Sequence, residues 1–313
     1  MSKDFTLQVE PDKEFVETPY IREITERSLN YIRAGFPVHF RGPAGTGKST
    51  LAKHIAGKLG KPTSIVHGDE ELTSSNLIGN ENGYQFKRVR DNYISSVLKE
   101  EEVMTKGWVD NRLTEACRYG HTFIYDEFTR SRPEANNVLL SILQDKILTF
   151  SKESHPGSPY LEVHPNFTAL FTSNPEEYAG TYKTQDALGD RMVTIDLEYP
   201  DYETEYGIVY SKSRLPRDVC ELITHIVRDL RETDVCEVSP TIRGGIMIGK
   251  TLTVMDFDPE DNAPLFITYC QDVLSSETSK IHTSSSQKEV KAAVKDIIEK
   301  RMNNNNRRHF MAV

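Results

Sequence analysis

Short apolar segments alternate with stretches of helical pattern up to about residue 200. Five of these segments have the continuous apolar character of buried strands, and they lie at 36–40, 64–67, 122–125, 167–172 and 193–197. Between the first two, Leu51, Ile55 and Leu59 recur at helical spacing, and 134–148 carries a similar apolar face. Strands that helices cover on both sides have this pattern. The sequence therefore predicts an α/β domain with a mostly parallel sheet.

Two further segments of this region predict insertions into the domain. Residues 89–104 predict an amphipathic helix, because Val89, Tyr93 and Val97 form an apolar face that precedes a run of glutamates. Residues 147–163 predict a β-hairpin, because two β-type runs flank a polar loop that contains glycine and proline.

The strand pattern fades after residue 201, and the remaining chain is mostly of helical type. Residues 201–272 predict a small helical domain, with helices over 219–230 and 241–251. Residues 273–313 are rich in serine, lysine and asparagine, and they predict a tail with one charged helix over 287–302 and a frayed end. The predicted domains are thus 1–200 and 201–272, followed by the tail.

Charge and cysteine content exclude several classes of protein. Asp and Glu number 47 against 38 Lys and Arg, so the net charge of −9 argues against a general nucleic-acid binder. No apolar run approaches the ~20 residues of a membrane helix, and the first residues lack a hydrophobic signal region. The four cysteines form no C-x-x-C pair, so the sequence predicts neither a zinc site nor a disulfide framework. We expect a reduced, cytoplasmic protein.

A phosphate-binding loop follows the first predicted strand. Residues 42–49 read Gly-Pro-Ala-Gly-Thr-Gly-Lys-Ser, which matches G-x-x-x-x-G-K-[ST] at every fixed position. The glycines let backbone N–H groups converge on phosphate oxygens, and the following helix points its positive end at the same anion. Lys48 is expected to reach the β- and γ-phosphates of ATP, and Ser49 to bind Mg²⁺. The predicted nucleotide contacts are Gly42, Pro43, Ala44, Gly45, Thr46, Gly47, Lys48, Ser49 and Thr50.

Two carboxylates follow the third predicted strand. Functional groups gather at the carboxyl ends of buried parallel strands, so Asp126 is expected to hold Mg²⁺ through water and Glu127 to activate the attacking water. The next predicted strand ends at Asn174, before a proline. The residues alone leave open whether Asn174 orients the water or occupies an ordinary turn.

Arginines that stabilise charge on a transferred phosphate often come from a neighbouring subunit. Four candidates stand out, and they are Arg130, Arg132, Arg191 and Arg243. For each of them an ordinary surface or packing ion pair is the competing interpretation.

The chain resembles AAA+ ATPases of the MoxR type, and among them the group encoded with gas vesicle genes. The segments that carry this resemblance are 39–49, 125–143, 171–180 and 184–191. The resemblance implies an αβα sandwich on a five-stranded parallel sheet, followed by a small helical lid. It assigns the Walker A, Walker B and sensor 1 positions to Lys48, Ser49, Asp126, Glu127 and Asn174. It also assigns an arginine finger to Arg191 and the sensor 2 position of the lid to Arg243.

The same resemblance implies a function and partners. It implies a Mg²⁺-dependent ATPase that forms a homo-oligomer, in related proteins a hexameric ring, and that remodels or loads other gas vesicle proteins. It implies an association with gas vesicles and no contact with membranes or nucleic acid. Two alternatives stay open, a MoxR-type chaperone that matures another protein complex or inserts its metal, and a nucleotide-dependent scaffold with little turnover.

Overall fold

The computed structural model describes residues 14–91, 99–150, 158–175, 182, 186–255, 262–278 and 284–311. These residues pack as two units. The first unit contains Arg27–Gly42 and Lys48–Asp196. The second contains Pro43–Gly47, the chain from Leu197 onward and the segment that ends at Glu26.

The described elements comprise nine strands and twelve α-helices. The strands are β1 (Val38–Arg41), β2 (Thr63–His67), β3 (Gly79–Asp91), β4 (Lys99–Asp110), β5 (Thr122–Asp126), β6 (Ile147–Thr149), β7 (Tyr160–Glu162), β8 (Thr168–Ser173) and β9 (Val193–Asp196). The helices are α1 (Pro19–Arg33), α2 (Lys48–Leu59), α3 (Ser74–Ile78), α4 (Arg112–Tyr119), α5 (Pro133–Asn136), α6 (Val138–Gln144), α7 (Asp186–Gly189), α8 (Tyr202–Ser213), α9 (Arg217–Arg231), α10 (Ile242–Met255), α11 (Ala263–Thr278) and α12 (Ser284–Met311).

The first unit is built on a five-stranded sheet in the order β2-β5-β8-β1-β9, and every strand pair in it is parallel. All residues of β5 and β8 are buried, which explains why these segments are continuously apolar. Phe123, Tyr125 and Phe171 fill one core together with Leu113 and Leu139. The five predicted strands and the parallel sheet are confirmed.

The helix that the sequence predicts over 89–104 is wrong, because β3 and β4 form an antiparallel hairpin there. Arg88 stands opposite Glu102 in the register of this hairpin, and residues 92–98 lie outside the described residues. Val89 and Tyr93 are four residues apart, and that interval places two residues on one side of a strand as well as on one face of a helix.

The hairpin predicted over 147–163 is confirmed, because β6 and β7 pair antiparallel. Its predicted polar loop falls at 151–157, outside the described residues. The helical pattern of 134–148 divides into α5 and α6 and stops at Gln144. Lys146 has a φ of 56°, a left-handed conformation that ends the helix and lets the chain enter β6.

The second unit is helical, as predicted for 201–272, but its core also includes the predicted tail. Val290, Val294 and Ile298 of α12 are completely buried with residues of α9 and α11. The helix continues through the asparagine-rich segment to Met311, where a frayed end was expected. A buried stripe at intervals of four residues binds α12 to the rest of the unit. None of the described helices combines the length and apolar character that a membrane crossing requires.

The burial of α12 predicts the effect of truncating its apolar stripe. Ile298→Ala should lower the free energy of unfolding by about 2–5 kcal/mol, because it leaves a cavity beneath α12. Lys295→Ala is the matched control on the same helix, since Lys295 is exposed and forms a long ion pair with Glu299, at 3.8 Å. Urea-induced unfolding measures both. Equal stability of the two variants would show that α12 does not belong to the core.

Candidate nucleotide site

The phosphate loop lies between β1 and α2, and hydrogen bonds within it hold its conformation. Gly45 and Gly47 have φ values of 79° and 85°, which non-glycine residues rarely adopt. The buried ammonium of Lys48 donates to the carbonyl oxygen of Gly42 at 2.8 Å, and the hydroxyl of Thr46 donates to that of Pro43 at 3.0 Å. The loop therefore has the backbone conformation in which N–H groups can surround an anion.

One oxygen of Asp126 joins three segments of the first unit. Its Oδ1 accepts hydrogen bonds from the hydroxyls of Ser49 and Thr172, each at 2.5 Å. The Thr172 hydroxyl in turn accepts from the backbone N–H of Glu127 at 2.9 Å. The strand-end carboxylate is thus bonded directly to the serine of the phosphate loop.

The oxygens of Ser49 and Asp126 suit a magnesium ion. Mg²⁺ binds through one or two protein oxygen ligands and takes its remaining ligands from water and phosphates. The other carboxylate oxygen of Asp126 lies 3.3 Å from Nδ1 of His67, at the end of β2. The described ranges contain no cluster of three or more His, Cys, Asp or Glu that could hold a metal ion. The two oxygen donors, Ser49 and Asp126, fit a Mg²⁺ that takes its other ligands from water and phosphates.

Glu127 occupies a left-handed backbone conformation directly after β5, with φ 53° and ψ 40°. Its carboxylate is 38% exposed and forms an ion pair with Nε of Arg130 at 3.0 Å. A side chain held by one exposed ion pair can change its partner at little cost. Of the candidate finger residues, Arg130 thus forms an ion pair within this chain. Arg132 is exposed just before α5.

Asn174 directly follows β8 at the same edge of the sheet. The backbone N–H of Gly42 donates to the carbonyl oxygen of Ser173 at 3.3 Å, which places Asn174 beside the start of the loop. His39 in β1 contacts the hydroxyls of Ser173 at 2.8 Å and Thr194 at 3.1 Å. Burial lowers the pKa of His39 to about 4, so this ring is neutral at physiological pH and ties β1 to β8 and β9.

The two remaining arginine candidates are held by different contacts. The guanidinium of Arg191 donates to the side-chain oxygen of Gln144 and to the carbonyl oxygen of Ala187. Arg243 belongs to the second unit, where its exposed side chain lies in the first turn of α10. Lys48, Ser49 and Asp126 are thus brought together within the first unit, with Glu127 and Asn174 at the same edge of the sheet.

Two residues of this arrangement, Thr172 and His67, are not among the predicted site residues. Thr172 lies within an apolar run, so its hydroxyl gives no signal until the register places it opposite Asp126. His67 closes a predicted strand, and the parallel pairing of β2 with β5 brings it beside Asp126. A polar residue near the end of each buried strand is the signal that could have identified them.

Comparison with known proteins gives consistent results. Residues 37–192 match the model of the AAA domain, dynein-related subfamily. The chain is 43% identical over 266 residues to the gas vesicle ATPase GvpN of Ancylobacter aquaticus, an alignment that covers 85% of this chain and 74% of the relative. It is 37% identical to GvpN of Haloferax mediterranei, over 86% of this chain and 76% of that protein.

A solved structure has a similar fold at low sequence identity. A mutant of RuvB from Thermotoga maritima superposes with a TM-score of 0.51 at 16% identity, and the match covers 85% of this chain and 73% of that one. The likeness supports the predicted AAA+ fold and says nothing about substrates.

The hydrogen bonds of Thr172 predict that its hydroxyl stabilises the end of the sheet. Thr172→Val should lower the free energy of unfolding by about 1–3 kcal/mol, because it leaves the N–H of Glu127 without its acceptor and Asp126 without one donor. Thr168→Val, a buried position on the same strand, is the control. Urea-induced unfolding of both variants is the measurement. A loss that is no larger for Thr172→Val than for Thr168→Val would contradict this role.

Proposed function

The chain belongs to the gas vesicle ATPases of the AAA+ class, and we propose that it uses Mg²⁺-dependent ATP hydrolysis to remodel or load gas vesicle proteins during vesicle formation. The observation that carries the proposal is the 2.5 Å hydrogen bond between the hydroxyl of Ser49 and Oδ1 of Asp126. It joins the phosphate loop to the strand-end carboxylate, and a phosphoryl-transfer site requires both.

ATP binds at the phosphate loop in this proposal. The ammonium of Lys48 already points into the loop at the carbonyl of Gly42, so it can move to phosphate oxygens without leaving its buried position. The N–H groups of the loop beyond Pro43 and the positive end of α2 stabilise the remaining phosphate charge. Ser49 and Asp126 would hold a Mg²⁺ ion, which would supply positive charge beside the phosphates.

Glu127 is the proposed general base. Its carboxylate exchanges the exposed ion pair with Arg130 for the attacking water and accepts a proton from it. Asn174 follows β8 at the same edge of the sheet and orients that water through its amide. Both side chains are anchored by parallel strands, which supports a fixed geometry around the reacting phosphate.

Arg191 is the proposed finger that acts on the nucleotide of a neighbouring subunit. Gln144 and the carbonyl of Ala187 hold its guanidinium in place, which prepares it to meet an anion with little loss of entropy. Arg243, on α10, acts on the nucleotide of its own chain. These roles require a homo-oligomer, for which we propose a hexameric ring that takes other gas vesicle proteins as substrates.

Glu127→Gln tests the hydrolytic mechanism. The amide keeps the shape of the side chain but cannot accept the proton of water, so the variant should bind ATP normally and release phosphate at least about a hundredfold more slowly. Lys48→Ala is the matched control, because it should lose ATP binding itself. Calorimetric titration with ATP and steady-state phosphate release measure the two properties. Turnover of Glu127→Gln at the parent rate would contradict the assignment of the base.

The same variant distinguishes the proposed process from its alternatives. Cells that make gas vesicles but lack this gene receive either the parent gene or Glu127→Gln, and buoyancy and electron microscopy score the vesicles. Restoration by the parent gene alone supports an energy-consuming role. Restoration by both genes would favour a nucleotide-dependent scaffold. A defect that appears in another enzyme complex and leaves vesicles intact would favour a MoxR-type chaperone.

Arg191→Ala tests catalysis between subunits. The variant should bind ATP almost normally and lose roughly a thousandfold in hydrolysis, the scale of finger removal. Mixing it with Lys48→Ala should restore turnover, because an intact Lys48 then faces an intact Arg191 at some interfaces. Failure at every mixing ratio, or a strict monomer by light scattering with ATP present, would contradict the ring. If turnover recovers only when Arg243→Ala is mixed with Lys48→Ala, then Arg243 acts on the neighbouring subunit and Arg191 acts on the nucleotide of its own chain.

A further inference from the structure

Thr241 of the second unit packs against the phosphate loop at Gly45. A Cβ built on Gly45 would overlap the side chain of Thr241, with Cγ2 at 2.6 Å and Oγ1 at 2.7 Å. Both residues belong to the second unit, and Thr241 is 5% exposed. Gly45 thus serves two purposes, since it permits the positive φ of the loop and leaves the space that Thr241 occupies.

Thr241 is itself held by Glu277 of α11. Oε1 of Glu277 accepts hydrogen bonds from the backbone N–H of Thr241, at 3.2 Å, and from its hydroxyl. The same hydroxyl accepts from the backbone N–H of Arg243 at 3.1 Å, so Thr241 caps the amino terminus of α10. One carboxylate therefore fixes both the residue that contacts Gly45 and the turn that carries Arg243.

The preceding residue is fixed independently. Nε of Arg231 donates to the carbonyl oxygen of Pro240 at 3.0 Å. Arg231 also pairs with the buried carboxylate of Glu205 at 2.7 Å and lies 4.1 Å above the ring of Tyr199. Since Pro240 and Thr241 are both held at their backbones, a change in Glu277 would act on Thr241 without displacing the chain before it.

Glu277 is energetically unfavourable as a purely structural residue. Burial raises the pKa of its carboxyl above the usual range, opposed by its hydrogen bonds from Thr241. Among the residues that the structure describes, its buried Oε2 has no hydrogen-bond partner. That oxygen lies against Gly244, where a Cβ would collide with it and approach Leu274 to 2.9 Å. A buried, half-satisfied carboxylate calls for a function that offsets its cost.

We propose that Glu277 is a positioning residue of the nucleotide site, which acts through Thr241 on Gly45 and on Arg243. This inference rests on the proposed function, because it requires that the loop at 42–49 binds ATP. Glu277 and Thr241 restrict the loop and the first turn of α10 before nucleotide arrives, so less conformational entropy is lost on binding. The unit that carries Arg243 thereby also shapes the glycine segment of the phosphate loop.

Two substitutions at Thr241 separate its hydroxyl from its methyl group. Thr241→Val keeps the shape against Gly45 but removes the hydroxyl, and with it one bond to Glu277 and the acceptor of the Arg243 N–H. It should weaken ATP affinity about tenfold, on the scale of one hydrogen bond to a charged group. Thr241→Ser keeps the hydroxyl and should retain affinity within about threefold of the parent, on the same scale. Thr224→Val is the matched control, because it removes another buried hydroxyl of the second unit, one that donates to the carbonyl oxygen of Cys220 within α9.

Glu277 variants test whether the carboxylate acts through Thr241. Glu277→Ala should also weaken ATP affinity, and the loss in the double variant should be smaller than the sum of the two single losses, because both variants remove the bond between the Thr241 hydroxyl and Glu277. Glu277→Gln keeps an acceptor oxygen and should be intermediate. Affinity is measured by titration with a fluorescent ATP analogue, and unfolding in urea reports the stability of each variant.

The outcomes separate this inference from the proposed function. A purely structural cap predicts that Thr241→Val loses stability while its ATP affinity equals that of Thr224→Val, and that result would overturn the inference. Additive losses in the double variant would also overturn it. Lys48→Ala is the reference in the same titration. If Lys48→Ala bound ATP like the parent, the proposed loop itself would be wrong. Should Thr241→Val not fold, Thr241→Ser and Glu277→Gln provide the comparison.

Discussion

The arrangement of the candidate site depends on the carboxylate oxygen Oδ1 of Asp126, which accepts hydrogen bonds from the hydroxyls of Ser49 and Thr172. These residues come from α2, β5 and β8, three segments separated by tens of residues. Their meeting depends on the parallel register, which sets Tyr125 opposite Phe171 and so brings Asp126 level with Thr172. A shift of one residue in β8 would turn the Thr172 hydroxyl to the other face of the sheet. The register of the buried sheet therefore determines which side chains meet at its edge.

Glu127, which follows Asp126, combines a fixed backbone with an exposed carboxylate. Glu127 adopts a left-handed backbone that costs a non-glycine residue about 1–3 kcal/mol, and the surrounding bonds must maintain it. Its N–H is bonded to Thr172, and Gly68 approaches its carbonyl so closely that a Cβ there would collide. The backbone is thus fixed on two sides, whereas the carboxylate is 38% exposed and forms an ion pair with Arg130. A rigid backbone under an exchangeable side chain suits a group that must reach water only when nucleotide is bound.

The sequence predicts the elements and motifs that a local pattern defines. It does not predict the features that depend on pairing or packing between distant segments. The five strands, the phosphate loop and the acid pair are each recognisable within about ten residues. The sequence predicts a helix where β3 and β4 pair, because an interval of four residues fits both a helix and a strand, and the pairing register becomes known only from the structure. The buried stripe of α12 was missed because Val290, Val294 and Ile298 are diluted by charged and polar neighbours. Thr172 and Glu277 give no signal until the fold supplies their partners.

Two buried carboxylates of the second unit illustrate how a structural charge differs from a positioning one. Glu205 is fully buried, and each of its oxygens accepts from an arginine at 2.7 Å, so its charge is compensated on both sides. Glu277 shares the same unit but satisfies a single oxygen, and its partner Thr241 is the residue against Gly45. A fully paired carboxylate resists any change of partner, whereas a half-paired one can respond when a neighbouring charge moves. Arg243 is such a charge, since its proximity lowers the pKa of Glu277 against the effect of burial. A nucleotide that draws the guanidinium of Arg243 away would therefore change the environment of Glu277, and through Thr241 that of the phosphate loop.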